Sequence, residues 1–197
     1  MIVWLNGAFG AGKTSVADEL HRRIPDSFVF DPENAGYYIR NNAPASFSEG
    51  DFQHIPLWRT INARMLSLIA AEYRGTILVP MTVTDPAYYR EITEPVKADG
   101  AEVRHFVLYA RRETILRRLK KRSLSLKRER FAVDAIDRCL VAFDGEMRDI
   151  RVETDACSAA QAAEEIARQC GIALLPDNRG ALRRLGDKWT RTLRHIR

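Results

Sequence analysis

The stretch Gly7-Ala8-Phe9-Gly10-Ala11-Gly12-Lys13-Thr14 matches G-x-x-x-x-G-K-[ST] in full. It is entered from Ile2-Val3-Trp4-Leu5, an apolar run that reads as a buried strand. It leaves into a predicted helix over 13–24, where Val16, Leu20 and Ile24 share one face. Strand, loop and helix in that order form a phosphate cradle. Glycines turn the chain tightly, loop N–H groups converge on phosphate oxygens, and the helix N-terminus adds partial positive charge. The cradle comprises Gly7, Ala8, Gly10, Ala11, Gly12, Lys13, Thr14 and Ser15. Lys13 would neutralise β- and γ-phosphate charge and the Thr14 hydroxyl would ligate Mg²⁺, so ATP with Mg²⁺ is the expected cofactor pair. The competing explanation, a glycine-rich turn with an accidental lysine, has to bring all three parts into register by chance.

Outward from this motif, short apolar runs alternate with amphipathic stretches. Residues 28–30, 76–79, 103–109 and 150–154 read as further strands. Residues 51–73, interrupted by Pro56, and 86–98, 111–122, 133–143, 158–169 and 181–196 read as helical. The alternation predicts an α/β fold of the P-loop NTPase type, a five-stranded parallel sheet flanked by helices. Pro176-Asp177-Asn178 is the best boundary, dividing a body over 1–177 from a C-terminal helix over 178–197.

Composition agrees with one globular domain: 197 residues, 46% apolar and 29% charged, which excludes a disordered chain. No apolar run reaches the roughly 18–20 residues of a membrane span, and no signal-peptide pattern opens the chain, so a cytoplasmic protein is expected. Cys139, Cys157 and Cys170 lack metal-type spacing and read as reduced thiols. The net charge of +5 is uneven: residues 111–130 carry +8, residues 178–197 carry +6, and the remainder −9. Two basic segments on an acidic body point to two separate anionic targets, not to a general nucleic-acid surface.

The third strand ends Val79-Pro80-Met81-Thr82, without the carboxylate that a motor ATPase places there. The first basic segment lies late in the chain between two helices, where small-molecule and nucleotide kinases carry a mobile lid, here about 120–131. Arginines that close over a transferring phosphoryl group stabilise its spread charge and exclude water. Arg117, Arg118, Arg122, Arg128 and Arg130 form the pool, although any one alone reads as a solvated basic face. On the acceptor side, Asp31 ends the second strand, where the ligand crevice of such sheets opens. Asp31 is either a base for an acceptor hydroxyl or, within Asp31-Pro32-Glu33, a helix cap. Tyr37, Tyr38, Arg40, Trp58 and Arg59 make a mixed aromatic and basic set suited to a base, sugar or phosphate, and Trp58 reads equally as core. His21 and His105 have no ligand partners near them in sequence and read as structural.

With these residues laid out, the chain resembles the tunicamycin-resistance protein family. The resemblance rests on residues 1–14, on Val29-Phe30-Asp31-Pro32-Glu33, and on Asp51-Phe52-Gln53 with Pro56-Leu57-Trp58-Arg59. It continues through Val79-Pro80-Met81-Thr82, Ile136-Asp137-Arg138-Cys139 and Arg179-Gly180-Ala181-Leu182-Arg183-Arg184. It implies a nucleoside/nucleotide-kinase-like fold that binds ATP and protects against tunicamycin, a lipid-tailed uracil nucleoside antibiotic. The chemistry implied is phosphorylation of a hydroxyl on the drug or on a related uracil nucleotide. Among the residues read above, Lys13, Asp31 and Arg122 would be catalytic and Arg118 would contact the nucleotide; the resemblance adds Arg138 as a phosphate contact. Asp31, Tyr38, Arg40, Trp58, Arg59 and Met81 would bind the acceptor. Sequestration of the drug without chemistry, and phosphorylation of another small hydroxyl compound, stand as alternatives. The resemblance also implies a basic C-terminal helix that meets the inner membrane face. Leu182, Leu185, Trp189, Leu193 and Ile196 form one apolar stripe, with Arg183, Arg184, Lys188, Arg191 and Arg194 beside it. Docking of that stripe on the body is the other reading.

Overall fold

The computed structural model describes residues 1–44, 50–122 and 130–177. Five strands, β1 (Ile2–Gly7), β2 (Ser27–Val29), β3 (Thr76–Pro80), β4 (Val103–Tyr109) and β5 (Ile150–Glu153), form one sheet in the order β2-β3-β1-β4-β5. Every pairing is parallel, as the unbroken apolar runs predict for strands covered on both faces. In central β1 the pleat sends alternate residues to opposite cores. Val3 and Leu5 pack with Val16 and Leu20 of α1 (Lys13–Arg23) and Ala163 and Ile166 of α8 (Ala159–Cys170). Ile2 and Trp4 pack with Trp58 and Leu66 of α3 (Pro56–Glu72) and Ile92 of α4 (Pro86–Ala98). A third cluster joins Val107 to α5 (Arg112–Arg122), α6 (Arg130–Asp134) and α7 (Ile136–Asp144).

The helix ends explain several boundaries. Asp85 caps α4, its carboxylate accepting from the Ala87 and Tyr88 N–H groups, and Ser158 with Gln161 forms a capping box on α8. Pro56 does not interrupt a helix over 51–73. It stands in the first turn of α3, where a missing N–H costs nothing, after a separate 3-10 turn over Phe52–His54. Residues 133–143 are likewise two helices, divided at Ala135. An additional helix, α2 (Glu33–Asn42), follows β2. The predicted lid and the C-terminal segment fall at 123–129 and 178–197, outside the described residues. Among the described residues no helix is long and apolar enough to cross a membrane, and all three cysteines are free.

The chain winds to one side of β1 for β2 and β3, and to the other for β4 and β5. The carboxyl end of β1 is thus the point of reversal, where open α/β sheets hold ligands.

Candidate functional site

At that point the loop 7–14 takes the shape its glycines permit. Gly7, Gly10 and Gly12 have φ of 138°, 84° and 111°. A Cβ on Gly7 would lie 2.4 Å from the Leu108 carbonyl oxygen, so β1 can turn into the loop against β4 only without a side chain. At Gly12 a Cβ would meet nothing within 4 Å, and its requirement is purely conformational. Gly12 is the N-cap of α1, and no side chain caps that helix. Its first-turn N–H groups therefore offer an anion site reinforced by the helix dipole.

Lys13 is half-buried in this loop. Its Nζ donates to the Gly7 and Ala8 carbonyls at 2.9 and 3.1 Å and lies 5.4 Å from the Phe9 ring centroid. Burial lowers its pKa to about 8, helped by the positive charge of Arg122 and opposed by Cys139 and Glu33. An ammonium held this way, on carbonyls of its own loop, fits a polyphosphate that would restore its charge. Thr14 is exposed in the first turn of α1. No cluster of three or more metal-ligating side chains exists among the described residues. Thr14, at the start of α1 directly after the loop, is the hydroxyl here that could reach a Mg²⁺ bound to phosphate.

Arg118 braces the loop through backbone. Its Nη1 donates to the Ala11 and Gly10 carbonyls at 3.1 and 3.3 Å and to Thr154 Oγ1 at 3.1 Å, and its Nη2 to the Thr154 carbonyl. Thr154 Oγ1 donates to the Ala11 carbonyl at 3.1 Å. Burial lowers the Arg118 pKa. Arg122 is exposed at the end of α5, close enough for its charge to act on Lys13.

Beside the loop lies a cavity of about 400 Å³ lined by Asp51, Gln53, His54, Asp85, Tyr88 and Arg138, among others. A chain of hydrogen bonds joins it to Lys13. Thr82 Oγ1 donates at 2.8 Å to the Gly7 carbonyl that also accepts from Lys13, Gln53 Nε2 donates at 3.1 Å to the Thr82 carbonyl, and Gln53 N donates at 3.1 Å to Asp51 Oδ1. Arg138 Nη2 faces Asp51 Oδ2 at 3.7 Å. Sequence reasoning missed Asp51, Gln53 and Thr82 as site residues. Their signal in the sequence was that Asp51-Phe52-Gln53 and Met81-Thr82 lie in stretches that carry the family resemblance.

Of the expected acceptor residues, Asp31 is exposed at the carboxyl side of β2, with Oδ1 accepting at 3.0 Å from the N–H of Glu33, the first residue of α2. Glu33 on the first turn of α2 acts electrostatically on Lys13 and accepts from the Tyr37 hydroxyl at 3.0 Å. Tyr38 is exposed on α2. Arg40 donates to the Gly50 carbonyl at 2.8 Å and lies over the Phe52 ring, which ties α2 to the 3-10 turn. Three residues move into the scaffold. Trp58 is fully buried, its Nε1 donating to the Pro32 carbonyl at 2.9 Å, because an indole filling the space between α2 and α3 still needs a partner for its N–H. Arg59 is buried, paired with Glu91 at 2.5 Å and stacked over Tyr88, so it positions a cavity wall. Met81 is core at the end of β3.

The model of a family described as AAA domain matches residues 2–145. The tunicamycin resistance protein of Deinococcus radiodurans shares 32% identity over 89% of this chain and 99% of that one, with a TM-score of 0.74. The APS kinase of Mycobacterium tuberculosis, solved with AMPPNP and APS, is 19% identical over 86% of this chain and 96% of its own, with a TM-score of 0.57. A sugar kinase from Janibacter sp. HTCC2649 is 18% identical over 87% and 95%, with a TM-score of 0.58. No curated protein sequence matches the chain. The last two likenesses concern the fold alone. The loop geometry, the matching domain model and the 32% identity over nearly the whole fold agree, and the chain belongs to the tunicamycin-resistance protein family of AAA-domain P-loop proteins.

Proposed function

We propose that this protein is an ATP-dependent phosphotransferase that modifies a hydroxyl of tunicamycin or a related uracil nucleotide and so confers resistance to the drug. The observation that carries the reading is the cavity of about 400 Å³, which sets Asp51, Gln53, Asp85 and Arg138 in a largely apolar wall and is hydrogen-bonded to the phosphate loop through Thr82 and Gln53. Its size lies within the range of small-ligand sites, roughly 300–1,000 Å³. The loop would hold ATP, with Thr14 ligating Mg²⁺, and the bound ATP would supply the phosphoryl group and leave as ADP. Lys13, Arg122 and Arg138 balance the phosphoryl charge. The Asp51–Arg138 pair orients the acceptor, and Asp31 takes the proton from its hydroxyl.

The test is direct. Protein, ATP, Mg²⁺ and tunicamycin are incubated, and the drug is weighed by mass spectrometry while ADP is measured. A gain of one phosphoryl group with matching ADP supports the reading. An unchanged drug beside protein that demonstrably binds ATP refutes it.

One observation favours a second reading, ATP-dependent sequestration of the drug. β3 ends at Pro80 and is followed by Met81 and Thr82, with no carboxylate there to steady Mg²⁺. That reading predicts protection proportional to protein concentration and no ADP. A third, phosphorylation of another small hydroxyl compound, is separated by an ADP-release screen. We place the protein in the cytoplasm, with residues 178–197 meeting an anionic membrane surface.

A further inference from the structure

His105, on β4, is 7% exposed and lies outside the cavity and the phosphate loop. It is one link of a polar chain that ends in that loop. Asp149 Oδ2 stands 3.1 Å from His105 Nδ1, and His105 Nε2 stands 3.1 Å from Asn6 Nδ2. Asn6 is fully buried at the end of β1. Its Oδ1 accepts from the Gly7 N–H and the Val83 N–H, both at 2.9 Å, and its Nδ2 also donates to the Val83 carbonyl at 2.8 Å.

Those bonds settle the protons. An amide oxygen, and not an NH₂ group, must face two backbone N–H donors, so the Asn6 side chain has one orientation. Its NH₂ then faces His105, whose Nε2 has to accept. The imidazole proton accordingly resides on Nδ1, donated to Asp149. All four hydrogen-bonding positions of the Asn6 amide are thereby used, two by Val83, one by Gly7 and one by His105.

We propose that His105, in its neutral Nδ1–H form, is a positioning residue for nucleotide binding: it holds the Asn6 amide that locks the entry of the phosphate loop to the segment after β3. That segment runs from Thr82 and Val83 into Thr84 and Asp85 of the cavity wall. A protonated His105 presents a donor to the Asn6 donor, and the lock loses its fourth bond. The groups facing His105 are Asn6 from β1, Asp149 ahead of β5, and Tyr89 of α4, whose ring stacks on it at 4.5 Å. Lys97 and Glu94 of α4 add their charges at this corner, Lys97 toward Asp149 and Glu94 toward Tyr89. The inference rests on the nucleotide-site reading above.

The experiment uses the full chain, a non-hydrolysable ATP analogue with Mg²⁺, and ¹⁵N spectra of the histidine rings. Wild type is compared with His105→Gln, whose carbonyl can accept from Asn6, and with His105→Phe, which keeps a ring against Tyr89 but no acceptor. The expected results are an Nδ1–H tautomer at neutral pH and wild-type affinity that falls as the imidazole protonates. His105→Phe loses roughly tenfold in affinity through one buried, unsatisfied amide donor. His105→Gln restores neutral-pH affinity and abolishes the acid fall. A purely structural histidine would lower the melting temperature of both variants and leave the pH profile unchanged, which overturns the proposal. So does an Nε2–H tautomer, or unaltered binding by His105→Phe. Should His105→Phe fail to fold, the tautomer and the His105→Gln profile decide. Failure of wild type itself to bind the analogue strikes the nucleotide-site reading, whereas binding that ignores His105 strikes this inference alone.

Discussion

Raising the pH from 7 to 9 should weaken ATP binding about tenfold while stabilising the empty protein. The two trends share one cause, the ammonium of Lys13, whose pKa burial lowers from 10.5 to about 8. About nine tenths of the empty molecules carry that charge at pH 7 and about one tenth at pH 9, and only the charged form grips polyphosphate. Binding at pH 9 should therefore take up close to one proton per nucleotide, by linkage. Stability follows the opposite sign. Between pH 8 and 10.5 the unfolded chain holds a proton on Lys13 that the folded chain has released, so stability of the empty protein rises through that window. Calorimetric titration with an ATP analogue in two buffers of different ionisation enthalpy counts the proton, and thermal melts across the same range follow the fold. Lys13→Ala should remove both trends. Affinity that stays flat from pH 7 to 9, with no proton uptake, would mean that the empty loop holds Lys13 charged and would refute the reasoning.

Asp31→Asn separates the two roles of that residue, because an asparagine oxygen accepts from N–H groups at a helix start about as well as a carboxylate does. Turnover should fall roughly 10²–10⁴-fold with nucleotide affinity kept, whereas wild-type turnover leaves Asp31 only its bond to the Glu33 N–H. Trp58→Ala should cost about 3–5 kcal/mol in urea unfolding, with nucleotide affinity of the folded fraction unchanged; unaltered stability with lost drug binding would return Trp58 to the crevice. Intact protein should bind anionic vesicles, more weakly as salt rises, and a chain ending at Asp177 should not. Indifference of the intact protein to such vesicles at low salt removes the membrane role of 178–197.

The nucleotide half of the site was legible because it is local. Glycines at fixed offsets, a lysine and a hydroxyl in eight consecutive residues specify a phosphate loop, since the ligand is held by neighbouring backbone N–H groups. The strands were legible for a related reason: β1, β3 and β4 are buried on both faces, and Ile2-Val3-Trp4-Leu5 or Thr76-Ile77-Leu78-Val79 can satisfy little else. The acceptor half depends on pairs far apart in sequence. An arginine beside a tryptophan reads as a binding pair, yet Arg59 meets Glu91 and Trp58 meets Pro32, and neither partner can be inferred from spacing on α3. Arg118 belongs by sequence to a pool of basic residues, and only the fold sets its guanidinium on the carbonyls of Gly10, Ala11 and Thr154. Asp51 and Arg138 stand 87 residues apart and share a cavity. His105 had no partner within reach along the chain because its partners, Asn6 and Asp149, come from β1 and the approach to β5. Periodicity and motif chemistry decide what a segment becomes; which polar groups finally meet is decided by how the sheet orders its strands, since a buried donor or acceptor takes whatever partner the packing brings within 3 Å.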